Sequence, residues 1–349
     1  DILGYREKNK KHRNVDKSTT REMFPLLKQN KLKKSFIFQD AQTDDSKLVS
    51  TLLRNAVEVN NAIAINYIEI TDIKKTSSKY QITAHNKLNN KSYTFYAKNI
   101  IAATGVHNLP GEYKAKSSNI KFSGGAHLVL RGDPLKINGN GILLPKTEDN
   151  RIMFVLPWFG NTIVGTTDTE TFSGTLDTPF ANDVDKEYLK RHIKKYFRVD
   201  SVEYISSWSG IRALIDNNQT STKNVSRGHF FNKVDEKFIQ IAGGKLTGFR
   251  LIAKESLEIL FNNKFELEPL KFTKDILELT NQFNESDLEK CFNHYCIAKP
   301  TDYMLRRTHI SWFNENGGKN EIKKIVTEFE LTDAENETLE ELKNEGLLS

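Results

Sequence analysis

Cysteine is nearly absent: Cys291 and Cys296 are the only two in 349 residues. A disulfide scaffold is excluded, and a reducing compartment is the better reading. The pair flanks His294 at a C-x4-C spacing, but inside an amphipathic helical pattern with no second ligand pair, so no metal is expected. Long apolar runs are missing as well. None approaches the ~20 residues that a spanning helix requires, and the longest, such as Asn99 to Gly105, have the length of a strand. Neither sign of charge dominates, since 51 Lys and Arg against 45 Asp and Glu give +6. That balance suits an anionic small molecule, a membrane surface or nucleic acid, and separates them poorly. The densest basic run, Arg6 to Arg13, reads as a solvated loop face, and no nucleic-acid motif accompanies it, so no nucleic-acid partner is expected.

Several motifs are lacking too. No G-x-S-x-G marks a nucleophile elbow. The one G-x-G, Gly139-Asn-Gly141, has Leu144 where a dinucleotide fingerprint needs glycine, and it precedes a strand, so it is a turn. A Walker A loop ending at Lys245 would need glycine in place of Ile239. No internal repeat is present, and no signal peptide is expected ahead of Asp1.

What is present is core-forming material: 21 Phe, 11 Tyr and 3 Trp exclude global disorder. The length favours two or three domains. Asp44 or Ser46 can cap a helix carrying Leu48, Leu52, Leu53, Ala56 and Val57. A strand over Ala62–Ile70 follows, then a hairpin of Tyr80–His85 and Ser92–Ala97 turning at Asn89-Asn90, then a buried strand running into Gly105. These elements point to an α/β nucleotide-binding architecture. From Lys121 to Gly165, strands separated by Gly, Asn and Pro turns predict a largely antiparallel sheet. A helix presents Tyr188, Leu189, His192, Ile193, Tyr196 and Phe197 on one face, and His192 there is a structural neighbour of that face. Capping boxes at Ser286-x-x-Glu289 and Thr332-x-x-Glu335 mark helix starts in a helical tail.

The strongest local signal is a strand, Gly243-Gly244-Lys245 and a helix. Paired glycines admit close backbone approach, a helix start offers free N–H groups, and Lys245 adds a full charge. An electron-rich group is the natural ligand. Weaker signals are Ala103-Thr104-Gly105 after a strand, Trp208-Ser-Gly-Ile-Arg212, Gly165-Thr-Thr-Asp168, and His127 after Gly124-Gly125; each taken alone is most simply a turn or a structural residue.

In order, Thr43-Asp-Asp45, Ile100-Ile-Ala-Ala-Thr-Gly105, Gly125-Ala-His127, Phe154-Val-Leu-Pro-Trp158, Gly165-Thr-Thr-Asp168, Ser209-Gly-Ile-Arg212, Gly243-Gly-Lys-Leu-Thr247 and Leu305-Arg-Arg-Thr308 resemble the FAD-dependent glycerol-3-phosphate dehydrogenases and oxidases, of the glutathione-reductase-like flavoprotein group. The resemblance implies an α/β chain, α+β overall, with a partial doubly wound FAD-binding domain, a mixed or antiparallel substrate-domain sheet and a C-terminal helical domain. Its expected boundaries are 1–118 for the partial FAD-binding segment with hairpin, 119–236 for the substrate domain, 237–265 for the return to the FAD domain and 275–349 for the helices. The family's first strand, G-x-G-x-x-G turn, helix and acidic ribose ligand do not precede Asp1. The chain is therefore expected to be a piece of the enzyme that binds FAD weakly by itself, with marginal solubility where sheet surface is left uncovered.

Carried over by position, the resemblance places Gly243, Gly244, Lys245, Leu246 and Thr247 at the pyrimidine edge of FAD, Thr104 and Gly105 near its adenosine–pyrophosphate region, and Ile68 by the adenine. Arg212 and Arg227 would face the phosphate of sn-glycerol 3-phosphate, and His127 would take the C2 hydroxyl proton, its ordinary pKa near 6.5 suiting neutral pH. Quinone or oxygen would take the electrons, and a cytoplasmic homodimer, peripheral on the inner face of a membrane, is the expected setting. The alternatives are an FAD-dependent amine or hydroxy-acid oxidase, or a non-catalytic binding module.

Overall fold

A computed structural model describes residues 12–30, 32–215, 228–270, 279, 282–328 and 334–348. Its first elements are a two-stranded antiparallel ribbon, β1 (Arg13–Val15) and β2 (Ser35–Ile37), with α1 (Lys17–Met23) between them. Next comes α2 (Asp45–Asn60), started by Asp44, whose carboxylate accepts from the Lys47 N–H. A meander of β3 (Ile68–Lys75), β4 (Tyr80–Asn86) and β5 (Lys91–Ala97) follows as a sheet of its own, and the chain then enters β6 (Ile100–Ala102). The predicted hairpin is there, with Asn90 at φ +54° in its turn. The predicted strand at Ala62 is not: pairing begins at Ile68 opposite Asn86, and Ile63 and Ile65 lie exposed with no strand beside them among the described residues.

The large sheet is antiparallel throughout, in the order β13 (Ser206–Ile215), β7 (Ile120–Leu130), β10 (Asn161–Gly165), β9 (Met153–Trp158), β8 (Ile142–Leu144). Between β10 and β13 run the small pair β11 (Ser173–Gly174) and β12 (Pro179–Phe180) and the helix α3 (Asp183–Tyr196). Alternation along β7 sends Leu128 and Leu130 to one face, where they pack with Val164, Leu189, Ile193 and Phe197. Val129 points to the other face and joins Ile163, Phe313, Trp208 and Trp312. Leu27 and Phe24 belong to the first of these cores, and an isolated bridge pairs Leu27 with Phe197. Residues 24–28, assigned by sequence to the first segment, are thus packed on the large sheet, because their apolar side chains find the open end of α3.

A second, three-stranded sheet has the order β14 (His229–Asp235), β15 (Phe238–Gly243), β6. β15 and β6 are parallel, with Phe238 opposite Ile100 and Gln240 opposite Ala102. Behind β15 the chain makes a 3-10 turn over Leu246–Gly248 and only then enters α4 (Phe249–Phe261), so the helix expected directly after Lys245 starts later. Helices α5 (Glu285–His294), α6 (Ile310–Phe313), α7 (Lys319–Glu328) and α8 (Ala334–Asn344) form a separate core around Cys291, Tyr303, Met304, Ile310, Ile325 and Leu342. Helix α5 starts two residues before the Ser286 capping box, because the Asn284 side chain accepts from the Ser286 and Asp287 N–H groups. Thr332 lies outside the described residues. No helix among the described residues is long and apolar enough to cross a membrane. The mixture of a parallel pair, antiparallel sheets and helices is the α/β class expected from the sequence.

Candidate active site

On β7, Ser123, Gly125 and His127 share one face, and on the paired strand β13 they stand opposite Arg212, Gly210 and Trp208. The middle pair is bare backbone, and the guanidinium of Arg212 lies down over it. A Cβ built on Gly125 would come 2.3 Å from Arg212 Nη2 and 2.7 Å from its Cζ. Any side chain there would displace the cation. The Arg212 Nη1 hydrogen donates to Gly124 O at 3.2 Å, and Nη2 donates to Thr166 Oγ1 at 3.0 Å. Asp168 Oδ1 is 3.9 Å from Nη1.

The His127 ring stacks on Trp208, with centroids 5.2 Å apart and planes 18° from parallel. Its other flank is open only because Gly165, opposite it on β10, has no side chain: a Cβ there would lie 2.1 Å from His127 Cδ2. Nδ1 is buried with no hydrogen-bond partner among the described residues. Burial, and then the charge of Arg212, lower the His127 pKa from the ordinary 6.5 to about 4. The histidine is therefore neutral at physiological pH, a proton acceptor held more acidic than the sequence suggested.

The second cluster forms at the carboxyl ends of the parallel strands, where open α/β sheets bind ligands. Thr104 and Gly105 follow β6, and Gly243, Gly244 and Lys245 end β15. Buried Gln240 ties the two ends together. Its Nε2 donates to Thr104 Oγ1 at 3.4 Å, and its Oε1 accepts from the Ser118 N–H at 2.7 Å. Gly105 has φ +58° and nothing within 4 Å of where a Cβ would be, so backbone faces open space. Gly243 and Gly244 have φ +67° and +92°, and a Cβ on Gly243 would meet Gly228 O at 2.6 Å. The glycines are required by the turn itself. Lys245 is exposed, and its ammonium has no partner among the described residues. Leu246 and Thr247 are exposed beside it.

The two clusters are linked through β13. Gly243 packs against Ile215, its Cβ position 3.1 Å from Ile215 Cδ1, and Ile215 is three residues along β13 from Arg212, about 10 Å at strand spacing, with its side chain on the opposite face. His127 and Arg212 are thus brought together, and Thr104, Gly105, Gly243, Gly244 and Lys245 form a second cluster. Ile68 opens β3 on the separate meander sheet, and Arg227 lies outside the described residues. His192, as expected, is structural: Nε2 accepts from the Glu148 N–H and Nδ1 donates to Tyr188 O. What the sequence did not disclose is Arg151. This residue reaches from the β8–β9 turn to Asp168, with Nη1 3.3 Å from Oδ2.

No family model matches the chain. Among curated proteins, the mitochondrial glycerol-3-phosphate dehydrogenase of Schizosaccharomyces pombe is 31% identical over 290 residues, 75% of this chain and 44% of that protein. A probable mitochondrial glycerol-3-phosphate dehydrogenase of Caenorhabditis elegans is 32% identical over 255 residues, 70% of this chain and 35% of that protein. The chain thus spans less than half the length of these relatives. Among solved structures, the glycerol-3-phosphate dehydrogenase from Bacillus halodurans complexed with FAD superposes with a TM-score of 0.70 over 95% of this chain and 78% of that one, at 21% identity. Over the span it shares with these proteins, the chain is similar to the glycerol-3-phosphate dehydrogenases.

Proposed function

We propose that the chain carries the substrate face and part of the cofactor face of an enzyme that oxidises sn-glycerol 3-phosphate to dihydroxyacetone phosphate, with FAD as cofactor. The observation that carries this reading is the pairing of a fixed cation, Arg212, with a neutral His127 whose Nδ1 has no hydrogen-bond partner among the described residues, on one bare strip of sheet. A phosphate ester with a neighbouring secondary alcohol needs both: a guanidinium for the anion and a base for the hydroxyl.

Open backbone at Gly105, left-handed glycines at Gly243 and Gly244 and the unpaired ammonium of Lys245 fit a flat, electron-rich ring system approaching the carboxyl ends of β6 and β15. The glycine-rich pyrophosphate cradle is not among the described residues. FAD, when bound, supplies the acceptor for the hydride leaving C2. Gly243, Gly244, Lys245, Leu246 and Thr247 would hold its pyrimidine edge, where Lys245 offsets negative charge. Arg212 orients the phosphate, and His127 takes the hydroxyl proton as the C2–H bond breaks. A bound dianion opposes the charge of Arg212 felt by His127, raising its basicity when a substrate is present. Quinone or oxygen takes the electrons in turn.

The test is anaerobic titration of the flavin-loaded protein with sn-glycerol 3-phosphate, with glycine and lactate in parallel. Bleaching by the phosphate ester alone is the expected result. Bleaching by an amino or hydroxy acid, or phosphate-ester binding no tighter than that of glycerol, overturns the reading.

A further inference from the structure

Arg212 does not stand alone beside the anion site it is read to form. Its nearest opposite charge is Asp168, which comes off the end of β10 in the segment Gly165-Thr-Thr-Asp168. That segment is fixed by backbone bonds on both sides: the Thr167 N–H donates to Ala126 O, and Gly124 and Thr169 exchange a reciprocal pair at 2.8 and 3.0 Å. The Asp168 side chain is 12% exposed, so its charge is poorly screened. Each carboxylate oxygen faces a different guanidinium. Oδ1 is 3.9 Å from Arg212 Nη1 and accepts from Ser123 Oγ, while Oδ2 is 3.3 Å from Arg151 Nη1. Arg151 Nη1 also donates to the Asp168 backbone carbonyl.

A half-buried carboxylate this close to Arg212 would compete with any anionic ligand for the same charge. Arg151 is placed where it cancels that competition. It is carried by the turn between β8 and β9, which is closed by the Thr147 N–H donating to Arg151 O at 2.9 Å and the Arg151 N–H donating to Thr147 Oγ1 at 2.8 Å. Its Nε pairs with Asp149 Oδ2 at 2.8 Å, and Asp149 is itself hydrogen-bonded by Thr147 and Tyr188. The order along this line is Arg212, Asp168, Arg151, Asp149, with alternating signs.

We infer that Arg151 is a charge-balancing residue, neutralising Asp168 so that the cationic charge of Arg212 acts on an anionic ligand instead of on its own neighbour. Arg151 touches neither substrate nor cofactor; it acts through Asp168. The inference rests on the reading of Arg212 as the phosphate anchor. It makes a claim about sign that a purely structural role for the same contacts does not share. Removing Arg151 leaves Asp168 unopposed and weakens anion binding. Replacing Asp168 with asparagine keeps one oxygen, for Ser123 and Arg212, but removes the opposing charge, and strengthens it.

The experiment is calorimetric binding of sn-glycerol 3-phosphate, with neutral glycerol as the control ligand, to the wild type, Arg151→Gln, Asp168→Asn and the double variant. Expected are a loss of about tenfold for Arg151→Gln, a gain of about threefold for Asp168→Asn, and recovery to near the wild-type value in the double variant, with glycerol binding unmoved. Arg151→Gln binding like the wild type, or weaker phosphate-ester binding in Asp168→Asn, overturns the inference. Should Arg151→Gln not fold, the sign of the Asp168→Asn effect decides alone. A wild type that binds the phosphate ester no better than glycerol removes the reading of the site, and this inference with it. A wild type that binds while the signs come out wrong removes the inference only.

Discussion

Four residues carry testable chemistry individually. His127 titrates near 4 where an unfolded histidine titrates near 6.5, so the folded state prefers the neutral ring. The native state then binds fewer protons than the unfolded one between those values. Stability is full above pH 6.5 and falls as the pH drops towards 4, by up to about 3 kcal/mol from this ring alone. His127→Gln should flatten that part of the stability profile, as denaturant melts at pH 7 and pH 5 would show; an unchanged slope would place the titration elsewhere. Arg212→Ala should lower kcat/KM for the phosphate ester by about a hundredfold or more, with a smaller effect for Arg212→Lys, which keeps the charge but loses the fork. Cys291 is buried, and desolvation pushes its thiol up to about 12, whereas Cys296 is exposed. A thiol reagent should label Cys296 in the native protein and Cys291 only after denaturation.

His127 and Arg212 were singled out by the family resemblance; a histidine two positions after a glycine on a strand and an arginine two after another read, taken alone, as structural. The functions of Gly125 and Gly165 as floor and wall were hidden. A glycine reveals its purpose only once strand register shows what lies across from it. The Asp168–Arg151 contact was hidden for the same reason, since a residue in a hairpin turn meets a strand end only after β9 and β10 have paired.

Among the elements, α2 shows where periodicity misleads. Its N-cap was legible from Asp44, and Leu48, Leu52 and Ala56 of the periodic set are half-buried, but the other two positions are not. Leu53 and Val57 are exposed, together with Val49 at the same helical spacing, while Ser50 and Asn55 are buried. The helix docks on the C-terminal helices through polar contacts instead. Asp44 Oδ2 pairs with His309 Nε2 at 2.6 Å, His309 Nδ1 bonds Leu305 O, and His294 Nδ1 meets Glu58 at 3.2 Å. Burial would raise the Asp44 pKa, but the His309 hydrogen bond and charge and the Lys47 N–H bring it below the ordinary 3.8. Its contribution is therefore present above that value and lost as the pH falls beneath it. Asp44→Ala removes the cap and leaves His309 without its carboxylate, and should cost about 3 kcal/mol in a denaturant melt. Leu53→Lys on the outward stripe should leave the melting midpoint within about 1 kcal/mol of the wild type and reduce binding of a hydrophobic dye. A large destabilisation would mean that the stripe is covered in solution.

For the molecule as a whole, the α/β class and the change from hairpin to antiparallel sheet followed from alternation and turn residues. The assembly did not: nothing local says that β6 pairs in parallel with a strand more than a hundred residues later, or that residues 24–28 join the core beneath α3. β13 is the element on which that assembly turns. It pairs with β7 along its whole length, Arg212 included, and its last residue, Ile215, packs against the backbone of Gly243. A single ribbon therefore underlies both binding edges. Occupancy by inorganic phosphate at one edge should slow deuterium uptake at the Ile215 and Gly244 amides of the other, so each ligand meets a scaffold already stiffened by its counterpart.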